Sequence, residues 1–402
     1  MDATDHALAS AATVRLKTLY VAPPWCRLKR ILFSHHPAIA VRHVSCDTGL
    51  RRMKSLLIPS LLATGLILSP AFAHAGWDTT KKIADREHVA LDEVAAAFDM
   101  KRAAARKDVL EIAYTGEAHQ LIVKITTREA IIDGVRHWLS FPVQSVSGEP
   151  FVAEIDIDTA LRPAFDPLSV KLPGPVRTVV FDPGHGGHDK GCRSPYGYEK
   201  DYTLDVVNRT RRILEKRKVK CVQSRLSDFF ATLSERPAMT KNYEDPIFVS
   251  IHFNSADWRP SANGIEIYAI PPQGCPTTGK KPDLVLDRRD SEGADVEPAS
   301  YALANAILPT LLGKMGSFDR GVKRARYAVL RHCEVPSVLI ECGFLTNPVE
   351  AKKVDTPEWR EKFAESLADG IEAYIALAGS QKAPPGLSDF DRPATDAFVT
   401  EM

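Results

Sequence analysis

Three apolar runs in this chain end in acid or imidazole. Residues 176–181 (VRTVVF) run into Asp182-Pro-Gly-His185, residues 247–251 (IFVSI) end at His252, and residues 335–340 (VPSVLI) end at Glu341. Glu199 closes the glycine-rich loop that follows the first run and opens a helical stretch. Two imidazoles and one carboxylate suit a catalytic zinc ion, which takes three protein ligands and keeps a position open for water. A further carboxylate can accept a proton from that water. If the three runs are neighbouring strands, their ends converge on one sheet edge, where ligands of open α/β sheets sit.

The stretch FDPGHGGHDKGCRSPYGYEKD, residues 181–201, also invites a phosphate-loop reading. That reading fails in detail. A Walker loop needs GxxxxGK[ST], no Lys-Ser/Thr follows Gly186-Gly187, and GxGxxG is absent. A lone histidine on a glycine turn is usually a solvated side chain. His185 gains weight only because the other strand ends carry matching groups.

The elements that must position these groups follow from periodicity. Residues 176–181, 218–223 (KVKCVQ), 247–251, 264–270 (GIEIYAI) and 335–340 read as strands. Residues 202–216 read as an amphipathic helix with Leu204, Val207, Thr210, Arg211 and Leu214 near one face; further helices are expected at 233–242, 301–312 and 359–377. This alternation predicts an α/β domain at 176–378, its sheet covered by helices on both faces in a phosphorylase/hydrolase-like arrangement. A small α+β domain precedes it at 77–167, with a helix at 90–98 and short strands at 110–114, 120–125, 130–132, 138–141 and 151–157. Residues 168–175 form a linker within a proline-rich stretch. Residues 271–299 read as a long surface loop, and 379–402 as a disordered tail.

Composition narrows the function classes. The 402 residues suggest two or three domains at roughly 150 residues each. A formal net charge of +1, from 52 basic and 51 acidic residues, shows no basic excess, so no nucleic-acid partner is expected. From Met53 the chain reads MKSLLIPSLLATGLILSPAFAHAGWD. Lys54, an apolar run at 56–68 and small residues at Ala71-Phe-Ala73 or Ala73-His-Ala75 have the layout of a signal peptide at 53–75. The run is short for a span of about 20 apolar residues, so no stable membrane anchor is expected after cleavage. Residues 1–52 then read as an over-called upstream extension. Export to the periplasm, or alternatively secretion to the cell wall, would place the chain where disulfides persist. Cys192, Cys221, Cys275, Cys333 and Cys342 follow the cleavage site. Five cysteines cannot all pair internally, and no CxxC spacing marks a cysteine zinc site.

The ordered segments DPGHGGHDKG…YGYEK, TLSERPAMTKN, FVSIHFNS, NGIEIY and VPSVLIECGFLTNPVEAKKV resemble the zinc-dependent N-acetylmuramoyl-L-alanine amidases, type 3, over roughly residues 176–376. The resemblance implies that His185, Glu199 and His252 bind Zn²⁺ and that Glu341 is the general base. It places Asn254 as a substrate contact, Arg236 as structural support and His188 as a loop residue. It implies a peptidoglycan hydrolase that cleaves the amide between N-acetylmuramic acid and the L-alanine of the stem peptide. Residues 77–167 resemble, more loosely, the copper-amine-oxidase-type N-terminal domains that accompany some cell-wall enzymes, with no copper implied. Where the family often has Pro-Gly-Ala, this chain has Lys190-Gly191-Cys192. Cys342 directly follows Glu341 and reads as a buried, inert thiol, with a disulfide to Cys333 as the alternative. Some relatives carry a helical plug released by a protein activator. The matching interval, residues 271–299, lacks helical periodicity, so a mobile gate is the alternative there. Two rival functions are a zinc peptidase or carboxypeptidase acting on another wall amide, and a non-catalytic wall-binding protein. The second would normally have lost a ligand or the base.

Overall fold

The computed structural model describes residues 76–103, 110–283, 285–289 and 291–380. The upstream extension read at 1–52, the export signal at 53–75 and residues 381–402 of the tail lie outside the described residues.

The first segment is a strand-rich module. β1 (Thr80–Ile83), β2 (Arg86–Ala90), β8 (Gln144–Val146) and β9 (Glu149–Ala153) form an antiparallel sheet in the order β1-β2-β9-β8. α1 (Leu91–Ala97) buries Leu91, Val94 and Ala95, the apolar positions of its helical spacing. β3 (Lys101–Arg102), β4 (Glu111–Thr115), β5 (Gln120–Lys124), β6 (Glu129–Ile132) and β7 (Val135–Trp138) make a meander. The alternation at 151–157 does not stay extended. After Ala153 the chain turns into α2 (Glu154–Asp156), a π turn at Ile157–Leu161 and α3 (Arg162–Phe165). Asp156 drives this turn inward, because its buried carboxylate accepts the Ser140 and Phe141 amides at 2.6 and 3.0 Å.

The second segment supplies β10 (Thr178–Pro183), α4 (Glu199–Lys216), β11 (Lys220–Gln223), α5 (Glu235–Ala238), β12 (Pro246–Asn254), β13 (Ile265–Ala269), α6 (Glu297–Met315), β14 (Asp319–Arg324), α7 (Ala328–Arg331), β15 (Ser337–Phe344), α8 (Pro348–Val354) and α9 (Pro357–Ser380). β14, α7 and α8 are additions to the sequence reading. The helix expected at 233–242 is instead α5 followed by a 3₁₀ turn, Met239–Asn242. α4 buries Tyr202, Thr203, Val206, Val207, Thr210 and Leu214, whereas Leu204 and Arg211 are half-buried. The stripe is turned from the expected one because α4 packs on both the sheet and α9.

One eleven-stranded sheet crosses both segments, in the order β11-β10-β12-β15-β13-β14-β7-β6-β5-β4-β3. β11, β10, β12 and β15 are parallel, so their carboxyl ends share an edge. Register gives each face its character. Val179, Phe181, Ile247, Val249, Ile251, Val338 and Ile340 alternate onto the face packed by α4, α6 and α9. Val180, Phe248 and Leu339 point the other way and pack on Val329, Leu330 and Cys333. The strand-end groups Asp182, Ser250, His252 and Glu341 continue this second face.

These faces settle the cysteine question. All five described cysteines are free. Cys333 packs with Leu339, while Cys342 alternates with Glu341 onto the opposite side of β15, so the expected alternative disulfide cannot form without moving the strand. The interval 271–299 also differs from a free surface loop. Cys275 and Asp287 are buried, and Arg326 donates to Asp287 Oδ1 at 3.0 Å and to the Cys275 carbonyl at 2.9 Å. Among its described residues no helix precedes α6.

The first segment is joined to the second by main chain and buried polar groups. Val322 of β14 lies opposite His137 of β7. The His137 Nδ1 and Tyr301 hydroxyl are 2.9 Å apart, and Trp138 Nε1 donates to the Arg320 carbonyl at 2.9 Å. The buried Arg324 guanidinium pairs with Glu297, donates to the Ile270 carbonyl at 2.9 Å and lies 4.0 Å from the Tyr301 ring centroid. Burial, reinforced by Arg324, lowers His137 to about 3. The imidazole is therefore neutral in the fold and takes up a proton on unfolding below about pH 6.5. Its contribution to stability is complete above that pH and is lost as pH falls toward 3. Relative to His137→Phe, the wild type should lose about 1.4 kcal/mol per pH unit across that window, read from urea midpoints. Parallel pH profiles of the two proteins would show that His137 does not stay neutral in the fold.

Candidate metal centre

The order β10-β12-β15 makes the three strand ends neighbours. β10 delivers the turn that carries His185, β12 carries His252, and Glu341 lies directly opposite His252 in the β12–β15 register. Glu199 is the first residue of α4, where the helix dipole favours a carboxylate. The structure brings His185, Glu199 and His252 together, with one ligating atom from each lying within 4.8 Å of the others. Glu199 Oε1 is 3.0 Å from both His185 Nε2 and His252 Nδ1. The two imidazoles meet edge to face, with centroids 4.8 Å apart.

His185 and Glu199 are held from behind. His185 Nδ1 lies 2.9 Å from Asp189 Oδ2, which leaves Nε2 facing the cluster. Glu199 Oε1 also accepts the Phe253 amide at 2.9 Å, and Oε2 accepts the Cys192 amide at 2.8 Å. His185 itself sits at φ 61°, a left-handed conformation uncommon for a residue with a Cβ. Arg236 fixes that turn by donating to the His185 carbonyl at 2.9 Å and to Asp182 Oδ1 at 2.7 Å. Asp182 also accepts the Ser224 and Ser250 hydroxyls at 2.6 and 2.8 Å.

Two glycines clear the space. A Cβ at Gly184 would lie 2.3 Å from the His252 ring. At Gly191, φ 63°, it would lie 2.6 Å from both Glu199 Oε2 and His185 Cδ2. The cradle is thus closed by side chains that only glycine lets approach.

Charge follows from these contacts. Burial alone would raise Glu199, but hydrogen bonds and charge from His185 and His252 hold it well below the usual carboxylate range. Burial alone would lower His185, and Glu199 and Asp189 pull it above its ordinary value. Glu341 behaves in the opposite way. Burial first, then the Glu199 and Glu266 carboxylates, push it well above its ordinary value, with Lys323 opposing. Some of the residue's surface reaches solvent, but Oε2 is sealed and has no hydrogen-bond partner. A carboxylate so placed is poised to take a proton.

Asn254 stands two residues beyond His252, on the same side of β12. Its Nδ2 donates to Glu266 Oε1 at 2.7 Å. His188 is outside the cluster, its ring 4.2 Å from Phe230. Asp189 and Glu266 went unread in the sequence. A carboxylate inside the apolar strand GIEIY was a usable signal for Glu266, since buried charge needs partners. Asp189 gave no such signal in a polar loop.

Residues 179–373 match the family model for N-acetylmuramoyl-L-alanine amidase. Among similar proteins, the uncharacterized protein YqiI of Bacillus subtilis is 34% identical over 198 residues, which are 49% of this chain and 84% of that one. The N-acetylmuramoyl-L-alanine amidase LytC of the same organism is 32% identical over 51% of this chain and 37% of its own length. The amidase AmiC of Neisseria meningitidis is 32% identical over 49% of this chain and 52% of its own length. A solved N-acetylmuramoyl-L-alanine amidase from Clostridium difficile shares 31% identity, with a TM-score of 0.42 over 50% of this chain and 98% of that one. The motifs, the family model and the sequence similarities together show that the chain belongs to the N-acetylmuramoyl-L-alanine amidase family.

Proposed function

We propose that this protein is a zinc-dependent peptidoglycan hydrolase that cleaves the amide between N-acetylmuramic acid and the L-alanine of the stem peptide. The observation that carries the reading is the convergence of His185, Glu199 and His252 at the sheet edge, with Glu341 directly across the strand pair. The donor set fits zinc: two imidazoles and one carboxylate, with Asp189 orienting His185 and the Phe253 and Cys192 amides orienting Glu199. His185 Nε2, His252 Nδ1 and a Glu199 oxygen would hold the ion. When bound, zinc lowers the pKa of water toward roughly 7 and polarises the scissile carbonyl.

The chain's own residues do the rest. Glu341 takes a proton from the attacking water and returns it to the departing amine of L-alanine. Its raised proton affinity suits both halves of that transfer. Asp189 holds the His185 ring, and Arg236 with Asp182 fixes the turn beneath it. Asn254, pinned by Glu266, contacts substrate. The signal read at residues 53–75 supports action outside the cytoplasm, in the periplasm. Among the described residues no helix is long and apolar enough to cross a membrane.

The test is zinc content measured together with product analysis on purified peptidoglycan. One zinc per chain and release of intact stem peptides are expected. Shortened peptides still attached to sugar would replace this reading with a zinc peptidase. Neither zinc nor release would leave a wall-binding protein.

A further inference from the structure

The polar row does not stop at Glu341. Across the sheet, His252 lies opposite Glu341 and Glu341 opposite Glu266. Tyr268, two residues beyond Glu266, lies opposite Lys323 of β14. Residues in register on adjoining strands share a face, so this row runs outward from the metal cluster on one side of the sheet. A bulge extends it. Ile265 pairs with Asp319 but Glu266 pairs with Gly321, which leaves Arg320 as an extra residue. Such a bulge re-aims a side chain. Here the guanidinium turns onto Glu266, with Nε 2.6 Å from Oε2. Lys323 donates to the same oxygen. The other oxygen of Glu266 accepts Asn254 Nδ2 and the Tyr268 hydroxyl, both at 2.7 Å.

Glu266 is thereby saturated, yet one carboxylate anchors two cations. Its side chain is 2% exposed, that of Lys323 11% and that of Arg320 29%. Arg320 lies over the Phe344 ring at 4.7 Å, and its Nη1 makes only a 3.4 Å contact with the Asn263 carbonyl. The guanidinium therefore keeps donors for an incoming group, held in a fixed plane. A planar fork of this kind matches a carboxylate.

We propose that Arg320 and Lys323, fixed by Glu266, form a subsite for a carboxylate on the peptide side of the substrate. The proposal rests on the amidase reading. In that substrate the lactyl carboxyl is consumed in the scissile amide and the N-acetyl groups are neutral. A carboxylate recognised beside Glu341 therefore belongs to the peptide, on an acidic residue following L-alanine. The cations would then do more than neutralise Glu266 and Glu341: they would choose stem peptides by charge.

The experiment uses the full zinc-loaded chain and two muramoyl peptides that differ only in a free carboxylate or a carboxamide on the residue after L-alanine. Wild type should favour the carboxylate form in kcat/KM, chiefly through KM. The preference should fall about 10–100-fold, toward one, in Arg320→Gln and in Lys323→Gln. Arg320→Lys, which keeps charge but loses the fork, should keep part of it. Zinc content and melting temperature identify a variant that folds poorly, and each of the three variants tests the ratio independently. A wild-type ratio near one, or a ratio unchanged in both Gln variants, would overturn the subsite. Failure of wild type to release peptide from either substrate would overturn the amidase reading itself, and the subsite with it.

Discussion

Replacing Glu341 by Gln should leave zinc content at the wild-type level and lower kcat by about 10²–10⁴-fold. The expectation follows from position. Glu341 lies opposite His252 but outside the three-residue cluster, so its amide isostere keeps the ligands in place. What the variant loses is a group that can both accept and return a proton. An effect confined to the transition state lowers kcat and kcat/KM together, which separates it from damage to binding. The pH profile is a second readout. Burial, Glu199 and Glu266 raise the proton affinity of Glu341. A general base must be deprotonated, so wild-type activity should fall on the acid side at a pH above the ordinary carboxylate range. A bound dication would draw that limb downward, without changing its sign. In the Gln variant the limb assigned to Glu341 should disappear from the residual rate. Near-wild-type turnover in Glu341→Gln would remove the residue from the mechanism.

Replacing Glu199 has a different expected signature: zinc and activity disappear together. Its carboxylate is the shared partner of both imidazoles and the cluster's only carboxylate. Removing it should cost more metal affinity than the 10–100-fold typical of an outer partner. Gln and Ala should differ in stability. Glu199 accepts the Phe253 and Cys192 amides, so Ala leaves these donors without an acceptor, at about 1–3 kcal/mol for a buried one. Gln retains one acceptor oxygen, so one amide stays paired while its NH₂ faces the other, and it should be destabilised less than Ala. Zinc by elemental analysis, rate by peptide release and stability by urea unfolding separate the three effects. Stoichiometric zinc in a folded Glu199→Gln protein would refute its role as a ligand.

The two expected results together would divide the proposed site into a group that holds the ion and a group that moves the proton. This division was available from the sequence only through resemblance. The residues alone supplied two carboxylates at suitable places, Glu199 and Glu341, without saying which did which. Geometry separates their environments. Glu199 sits at a helix start between two imidazoles, which favour its charge. Glu341 sits on a strand with one oxygen sealed, and burial together with two neighbouring carboxylates disfavours its charge. The same residue type is pushed in opposite directions by its neighbours.

Much of the fold was legible because its signals are local. Apolar runs marked β10, β12, β13 and β15, and helical spacing marked α4, α6 and α9, with boundaries shifted by a few residues. β14 was missed because DRGVKR, with one apolar residue among six, carries no strand signature. It is a strand because it pairs with β13 and β7. The turn after Ala153 was read as extended because Asp156 looked like the polar half of an alternation, whereas it serves as a buried acceptor for amides fifteen and sixteen residues away.

The sequence by itself determined the chemical inventory of this protein: which strand ends carry imidazole and acid, and that a glycine turn precedes the first histidine. Those facts depend on residue type and short-range periodicity, which the chain states directly. Tertiary structure alone decided that one sheet joins the two segments, that Cys333 and Cys342 face opposite ways, and that Glu266 gathers Asn254, Arg320 and Lys323 beside Glu341. These are matters of register between distant strands. A displacement of one residue would turn every such side chain to the other face.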